Sequence, residues 1–249
     1  MSANYVAREL GYGAADEWGP FDAATAAAFE PLGTYGARFD AMLEPIGAAG
    51  FDAIDLWFGH LDWRWATPEH IAIAREALDR RGIRVVSLAG GIGETAADVG
   101  AACSLANALD VDLIAGPAGI VRTRRDEVAG VLAAHGVRFG LENHPERTPS
   151  EVLEAIGDAE AIGAAVDTGW WATQGYDPVA AIHELSDRLF HVHLKDVEEP
   201  GTHGRSRGGA RGTLERLRRR PDVHPVRDDI PAANRRSRDA RGICQTPVG

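Results

Sequence analysis

The chain has 249 residues, a formal net charge of −11 and only two cysteines. No stretch approaches about 18 consecutive apolar residues, which excludes a membrane-spanning helix. Two cysteines exclude a disulfide scaffold and a cysteine-built zinc site. The N-terminus also lacks the basic patch and apolar segment of a secretory signal, so we expect a cytoplasmic protein.

Charge is distributed unevenly along the chain. Residues 1–200 hold 14 basic and 32 acidic residues, a net of −18, whereas residues 201–249 hold 12 arginines and 5 acidic residues, a net of +7. All 6 Trp, 4 Tyr and 7 Phe precede the second segment. We therefore divide the chain into a folded region, 1–200, and an Arg-rich tail, 201–249, which we expect to be disordered.

The first half of the folded region alternates predicted strands and helices. Strands are predicted at Tyr5–Tyr12, Ala53–Trp57 and Arg84–Ala89. Helices are predicted at Thr34–Ala49, Pro68–Arg81 and Thr95–Leu109. The residues between the first strand and the first helix, Gly13–Gly33, are predicted to form a long loop of functional interest.

The second half continues the same alternation. Strands are predicted at Val111–Ala115, Val137–Glu142, Ala161–Asp167 and Arg188–Lys195. Helices are predicted at Arg124–His135, Pro149–Ile156 and Pro178–Leu185. Seven such units in order favour an α/β fold of the (β/α)8 TIM-barrel type. The eighth unit is not readable after Asp196, so the predicted barrel is incomplete.

Polar residues at the carboxyl ends of the predicted strands mark the expected active site, because parallel barrels carry their chemistry there. In chain order these residues are His60, Glu142, His144, Asp167, His191, His193 and Lys195. Two carboxylates and an imidazole form a mixed donor set that suits Mn²⁺, Mg²⁺, Co²⁺ or Zn²⁺. We therefore predict one divalent cation at this mouth.

Each of these residues also has a structural interpretation. Glu142 or Asp167 alone could be the N-cap of the following helix, and for His191 we favour a place in the barrel core. Three such residues at the ends of three consecutive strands are harder to explain by packing alone. Their combination favours the metal site.

Three ordered motifs carry a resemblance: GLENH at 140–144, VDTGWW at 166–171 and HVHLKD at 191–196. Over about residues 5–200 the chain resembles the sugar phosphate isomerase/epimerase family, the xylose-isomerase-like barrels. That superfamily also contains inosose dehydratases and the endonuclease IV type of DNA-repair enzyme. The resemblance implies that Glu142, Asp167 and His193 hold one divalent cation together with a Glu on an eighth strand.

The resemblance further implies proton transfer next to the carbonyl of a sugar or sugar phosphate, through an enediolate. We assign Glu142, His193 and Lys195 as catalytic residues, with the eighth-strand Glu acting on the opposite face of the substrate. The alternative is a metal-dependent dehydratase of the keto-inositol type. There the enolate would expel a β-hydroxyl with the help of Lys195.

Two departures from the family pattern concern the substrate and the metal. Trp170 stands where related motifs place a substrate-binding His, which suggests an aromatic wall for a sugar or cyclitol ring; ordinary packing under the loops is the alternative. We assign Trp170, Trp57, His60 and His144 to substrate binding. No eighth-strand Glu is visible, since Glu215 is the only Glu in the tail.

The Arg-rich tail has two interpretations. A nucleic-acid-binding arm is disfavoured because the body is acidic and the tail has no aromatic residue for base stacking. We prefer a shifted reading frame from about His203 onward, which would make the chain a catalytically inactive barrel remnant, the third functional alternative. The expected partner is a small sugar or polyol, with neither nucleic acid nor membrane involved. The sequence leaves open whether the chain forms a homo-oligomer.

Overall fold

The computed structural model describes residues 1–12 and 18–195, in which one parallel sheet is flanked by helices. Its strands are β1 Ala53–Trp57, β2 Arg84–Ala89, β3 Leu113–Gly116, β4 Arg138–Glu142, β5 Ile162–Asp167 and β6 Leu189–His193. Each strand pairs in parallel with the next along the chain. These are the second to seventh predicted strands, and the structure confirms them as consecutive βα units.

Helices connect successive strands and also precede the first. In chain order, they are α1 Ala3–Glu9, α2 Trp18–Phe29, α3 Leu32–Ala48, α4 Pro68–Arg81, α5 Ala96–Ala108, α6 Gly119–His135, α7 Pro149–Ile156, α8 Thr168–Thr173 and α9 Pro178–Glu184. A single 3-10 turn, Ser186–Arg188, leads into β6. None of the helices in the described ranges combines the length and apolar character needed to cross a bilayer.

Three of the predicted helices begin at capping threonines, whereas the helix predicted at Arg124–His135 begins earlier, at Gly119, with no side-chain cap. Thr67 accepts a hydrogen bond from the backbone of α4, with Pro68 at the first helical position, and Gly82 ends that helix in the left-handed conformation at φ 63°. Thr95 and Thr148 cap α5 and α7 in the same way. At these positions the residues next to the helix in sequence determine where the helix begins or ends.

The prediction of a first strand at Tyr5–Tyr12 is wrong. This segment contains α1, because Ala3, Val6 and Ala7 are buried at helical spacing against the core. The place beside β1 is taken by the chain start: the Met1 amino group donates to the Ala53 carbonyl at 3.2 Å, and Ser2 forms an isolated parallel bridge. Met1 and Ser2 thus occupy the edge of the sheet beside β1, in place of the predicted eight-residue strand.

The prediction of a loop over Gly13–Gly33 is wrong for residues 18–29, while residues 13–17 lie outside the described residues. Residues 18–29 form α2, whose run of alanines favours a helix. Phe21, Thr25 and Phe29 are buried at a spacing of four residues. Helix α2 therefore covers one end of the sheet instead of leaving it open.

The apolar core lies between the sheet and the helices. Helix α3 contributes Tyr35, Phe39, Leu43 and Ile46, all fully buried at steps of four, four and three residues, as expected for one face of a helix. Trp171 is the largest fully buried side chain among the described residues. The expected eighth βα unit and the Arg-rich segment 201–249 lie outside the described residues.

The sheet curves strongly enough that its two edge strands meet through their side chains. Asp55 on β1 lies 3.6 Å from His191 and 3.5 Å from His193, both on β6. These strands are separated by four others in the sheet order. Such curvature is the beginning of a barrel, and it creates a concave interior lined by polar groups.

Candidate active site

Three of the predicted site residues end neighbouring strands. Glu142 is the last residue of β4, Asp167 of β5 and His193 of β6. The register places Asp167 directly opposite His193 and Glu142 opposite Ala165. The consecutive parallel order therefore brings these side chains to one mouth, at the carboxyl edge of the sheet.

Buried Glu142 pairs with partly exposed His193. His193 Nδ1 lies 3.0 Å from Glu142 Oε1, a hydrogen-bond distance. Burial alone would raise the pKa of Glu142, but the His193 ring beside it holds that pKa below its ordinary value. Burial alone would lower the pKa of His193, whereas the carboxylates of Asp55 and Glu142 raise it to about 9. Without a cation, His193 is therefore positively charged and Glu142 is ionised.

The two oxygens of Asp167 have different tasks. Oδ1 accepts hydrogen bonds from Gly169 N at 2.9 Å and Trp170 N at 3.1 Å, so it caps α8. Oδ2 faces the mouth, where it contacts the Lys195 ammonium and lies 3.5 Å from His144 Nε2. The capping interpretation of Asp167 is confirmed for Oδ1. Oδ2 is not used by the cap, and its role in a site stays a prediction.

Two side chains that the sequence analysis did not select fasten the three strand ends together. Asn143 donates to the Asp167 carbonyl at 3.3 Å and accepts from the Asp167 amide at 2.6 Å. The Thr168 hydroxyl donates to the Lys195 carbonyl and accepts from the Lys195 amide, both at 2.9 Å. Both residues lie inside the motifs quoted above, directly beside the selected carboxylates, and that adjacency was the available signal.

The loop after β4 is held by a bidentate ion pair. Arg122 Nε lies 2.6 Å from Glu146 Oε1, and Nη2 lies 2.7 Å from Oε2. The same Nη2 donates to the His144 carbonyl at 2.8 Å. The indole N–H groups of Trp170 and Trp171 both donate to the Glu146 carbonyl, at 3.0 and 3.2 Å. These contacts fix the backbone that presents His144.

The donor set fits a divalent cation. Glu142, His144 and Asp167 each offer one ligand atom, and these atoms all lie within 4.8 Å of one another. Bonds of about 2.1 Å to a shared ion place neighbouring ligand atoms about 3 to 3.5 Å apart, so only small adjustments are needed. The structure thus places His144 beside both carboxylates, while His193 reaches this group through Glu142. The fourth ligand that the family resemblance implies lies outside the described residues.

Sequence reasoning missed Asp55. It lies within the apolar strand β1, is only 7% exposed, and faces His191 and His193 across the interior of the curved sheet. Burial alone would raise the pKa of Asp55, but the facing imidazoles and the Ser87 hydroxyl hold it well below its ordinary value. A carboxylate within an otherwise apolar strand was the signal, because such a residue is rarely buried without a partner.

The remaining predicted substrate residues lie deeper. His60 is fully buried between the rings of Phe29 and Trp57, and burial lowers its pKa to about 3. Trp57 is 5% exposed and is covered by stacked Phe21 and by Trp18. The structure does not bring these two to the Glu142 group. His144 and Trp170, by contrast, pack edge to face at 4.7 Å beside the carboxylates.

A family model described as xylose isomerase-like TIM barrel matches residues 43–221. The match contains all six strands of the sheet and continues into the Arg-rich segment. No curated protein matches the chain at a significant level. The match to the family model is therefore the sequence evidence for this fold.

Solved structures share this fold. The probable 3-DHS dehydratase AsbF of Bacillus anthracis matches with a TM-score of 0.54 and 19% identity, over 63% of this chain and 67% of its own. The 3-keto-D-glucoside 4-epimerase YcjR of E. coli gives 0.51 and 20%, over 64% and 74%. A xylose isomerase-like TIM barrel protein of Mycobacterium smegmatis, in complex with magnesium, gives 0.53 and 15%, over 65% and 67%. Identities this low show a common fold and no more.

Proposed function

Since the chain belongs to the xylose isomerase-like TIM barrel family, we propose that it is a divalent-metal-dependent isomerase or epimerase of a sugar or sugar phosphate. The reaction is proton transfer next to the carbonyl, through an enediolate. The observation that carries this proposal is the buried Glu142, whose Oε1 lies 3.0 Å from His193 Nδ1 at the mouth where Asp167 and His144 also lie. A carboxylate positioned at the substrate mouth is a common general base in enzymes.

Glu142, His144 and Asp167 would hold the cation, with His193 Nδ1 beside Glu142 as the imidazole ligand that the family pattern implies. Mn²⁺, Mg²⁺, Co²⁺ and Zn²⁺ all suit such a donor set. When bound, the cation polarises the substrate carbonyl and stabilises the charge that develops on its oxygen. The Lys195 side chain is 53% exposed, so it has room to leave Asp167 when the cation arrives.

The protein groups then have separate roles. Glu142 takes the proton from the carbon next to the carbonyl, and the His193 ring beside it favours the ionised form of Glu142 before the transfer. His144 and Trp170 form the partly exposed rim on which a sugar ring can lie. The assignments of His60 and Trp57 to substrate binding stay predictions.

A dehydratase of the keto-inositol type is the second candidate, and the position of Lys195 favours it. Its ammonium contacts Asp167 at the mouth, where it could donate a proton to a departing β-hydroxyl. This role would need the same proton abstraction by Glu142. The two candidates therefore differ only in the fate of the enolate.

Exchange of substrate hydrogen with solvent tests the proposal. The full chain is stripped with EDTA, reloaded with Mn²⁺ or Mg²⁺, and incubated in D₂O with a panel of ketoses, their phosphates and keto-cyclitols. We expect metal-dependent deuterium incorporation next to the carbonyl, detected by NMR; a new ultraviolet-absorbing enone would identify the dehydratase. Glu154→Gln, at an exposed position on α7, is the matched control for Glu142→Gln. If neither signal appears with any metal, the chain is an inactive remnant.

A further inference from the structure

A second group of side chains that can ligate a metal lies inside the curved sheet. It consists of Asp55, His191 and His193. Asp55 Oδ2 lies 3.6 Å from His191 Nε2 and 3.5 Å from His193 Nε2. One ligand atom from each of the three lies within 4.8 Å of the others. Because strand residues alternate faces, His191 and His193 point to the same side of β6.

The distances within this group are too long for hydrogen bonds and suit a shared ion. An N–H···O bond spans about 2.7 to 3.2 Å. Ligand atoms bonded tetrahedrally to one zinc ion at about 2.0 to 2.1 Å lie about 3.3 to 3.4 Å apart, close to the observed values. Among the described residues, Asp55 Oδ2 is a buried oxygen with no hydrogen-bond partner. A buried carboxylate oxygen left in this state calls for an explanation, and a bound water or ion is one of the usual ones.

Neighbouring groups orient two of the three donors, Asp55 Oδ2 and His193 Nε2, towards each other. Ser87 Oγ donates to Asp55 Oδ1 at 2.8 Å, which leaves Oδ2 to face the two rings. Glu142 Oε1 lies 3.0 Å from His193 Nδ1, which directs Nε2 towards Asp55. A carboxylate behind a ligating imidazole is the usual support of a bound metal, since it fixes the tautomer and the ring orientation.

Two irregularities in strand pairing occur at this group. The β1–β2 register shifts between Ile54 and Asp55, which places Ser87 opposite Asp55. The β5–β6 register shifts between Ala164 and Ala165, which places His191 opposite Ala165. Bulges are uncommon in parallel sheets, and they typically re-aim side chains next to functional sites. Both shifts fall directly at residues of this group or its support.

We propose that Asp55, His191 and His193 bind a second divalent cation, of the borderline transition-metal class that includes Zn²⁺, Co²⁺ and Fe²⁺. Two imidazole nitrogens and one carboxylate oxygen suit these ions, whereas Mg²⁺ prefers oxygen ligands. The proposal requires no turnover, and Asp55 and His191 take no part in the proposed isomerase activity; His193 is the one residue that both sites share. His193 joins the two sites, since Nδ1 faces Glu142 and Nε2 faces Asp55.

Metal stoichiometry tests this site directly. The full chain is stripped with EDTA, dialysed, and titrated with Zn²⁺ under equilibrium dialysis with elemental analysis; Co²⁺ absorption reports the imidazole ligands. We expect two Zn²⁺ per chain but one Mg²⁺. In Asp55→Asn the affinity for one of the two Zn²⁺ ions should fall at least about a hundredfold, so that only one ion stays bound. Even the loss of a residue that merely supports a metal ligand lowers metal affinity about ten- to a hundredfold. Asp167→Asn should remove only the other.

His191→Gln supplies a second variant with a partly exposed ring, which keeps the test decisive if Asp55→Asn does not fold. Circular dichroism and the urea midpoint of the metal-free proteins establish folding. One Zn²⁺ per wild-type chain, unchanged by Asp55→Asn or His191→Gln, would show that the group is only an ion-pair network. Loss of all Zn²⁺ in Asp167→Asn would equally overturn the second site. If instead only the Asp55 and His191 variants lose Zn²⁺, this site stands and the metal site of the proposed function fails.

Discussion

Charged side chains outside the sheet and charged side chains inside it are held in different ways. On the outside, Asp40 of α3 meets Arg80 and Arg81 of α4 at 2.9 and 2.5 Å, and all three side chains are partly exposed. On the inside, Asp55 and Asp167 each have one oxygen held by hydrogen bonds and one oxygen facing cationic or imidazole groups.

The outer and inner charged groups differ in how much the loss of one partner costs in stability. Water screens the outer pairs, and exposed pairs of this kind contribute only about 0.2 to 1 kcal/mol. The inner carboxylates are buried, so each oxygen needs a partner, and removing a partner costs the full desolvation of what remains. The inner carboxylates therefore depend on their partners far more than the outer carboxylate does, and it is the inner groups that we propose bind a cation.

The largest expected effect comes from Glu142→Gln, which removes the ionised carboxylate from the inner group. If Glu142 is the proton acceptor, deuterium incorporation should fall by about 10²- to 10⁴-fold, since that is the usual contribution of a general base. The unchanged rate of Glu154→Gln serves as reference. A rate for Glu142→Gln within twofold of wild type would assign the proton transfer to another group.

Asn143→Ala should give the largest loss of stability, because it leaves the buried Asp167 amide without an acceptor. We expect a decrease of about 1 to 3 kcal/mol in the free energy of unfolding. Urea denaturation measures it, with Asn107→Ala as the matched control at an exposed position of α5, where the amide also donates to a backbone carbonyl. Equal effects of the two substitutions would remove the contrast between inside and outside.

Thr168→Val should have a smaller effect, because it removes one hydroxyl while keeping the shape of the side chain. That hydroxyl joins the end of β6 to β5 through the Lys195 amide and carbonyl. We expect a loss of about 1 kcal/mol in the free energy of unfolding and weaker metal binding at Asp167. Thr168→Ser should restore both; a failure to do so would mean that the methyl group, not the hydroxyl, matters.

Asp40→Asn should have the smallest effect, about 0.2 to 1 kcal/mol at neutral pH. Hydrogen bonds from Arg81 and Arg80 hold the pKa of Asp40 well below its ordinary value. A lowered folded-state pKa stabilises the fold above the unfolded value of about 3.9, and this stabilisation is lost as the pH falls below it. Urea midpoints of the variant and the wild type should therefore converge in acid. A constant difference at every pH would exclude this titration as the cause.

Local signals in the sequence were sufficient for most of the outer structure. Thr67 with Pro68 marks the start of α4, and Gly82 marks its end, because these residues satisfy or terminate the backbone ladder wherever they stand. Near the N-terminus the local sequence gave the wrong prediction, because Tyr5 and Val6 suggested a strand. There the burial of Ala3, Val6 and Ala7 on one face decided for a helix.

The sequence predicted some residues of the inner groups and missed others. Glu142 and Asp167 follow from strand-end position, since neighbouring parallel strands end at one edge. The choice of His193 over His191 came from the family resemblance. Asp55 could not be matched with His191 from local pattern, because their contact depends on how strongly the whole sheet curves. The placement of His144 beside Asp167 likewise depends on the loop that Arg122 and Glu146 hold.

The edge-to-face contact between Trp170 and His144 gives the mouth an intrinsic optical signal. Indole emission depends on the groups that touch the ring, and a ligating imidazole differs electronically from a free one. We expect cation binding at Glu142 and Asp167 to change the emission of Trp170. The occupancy of the candidate centre could then be followed by fluorescence in the unlabelled protein, even before any substrate is known.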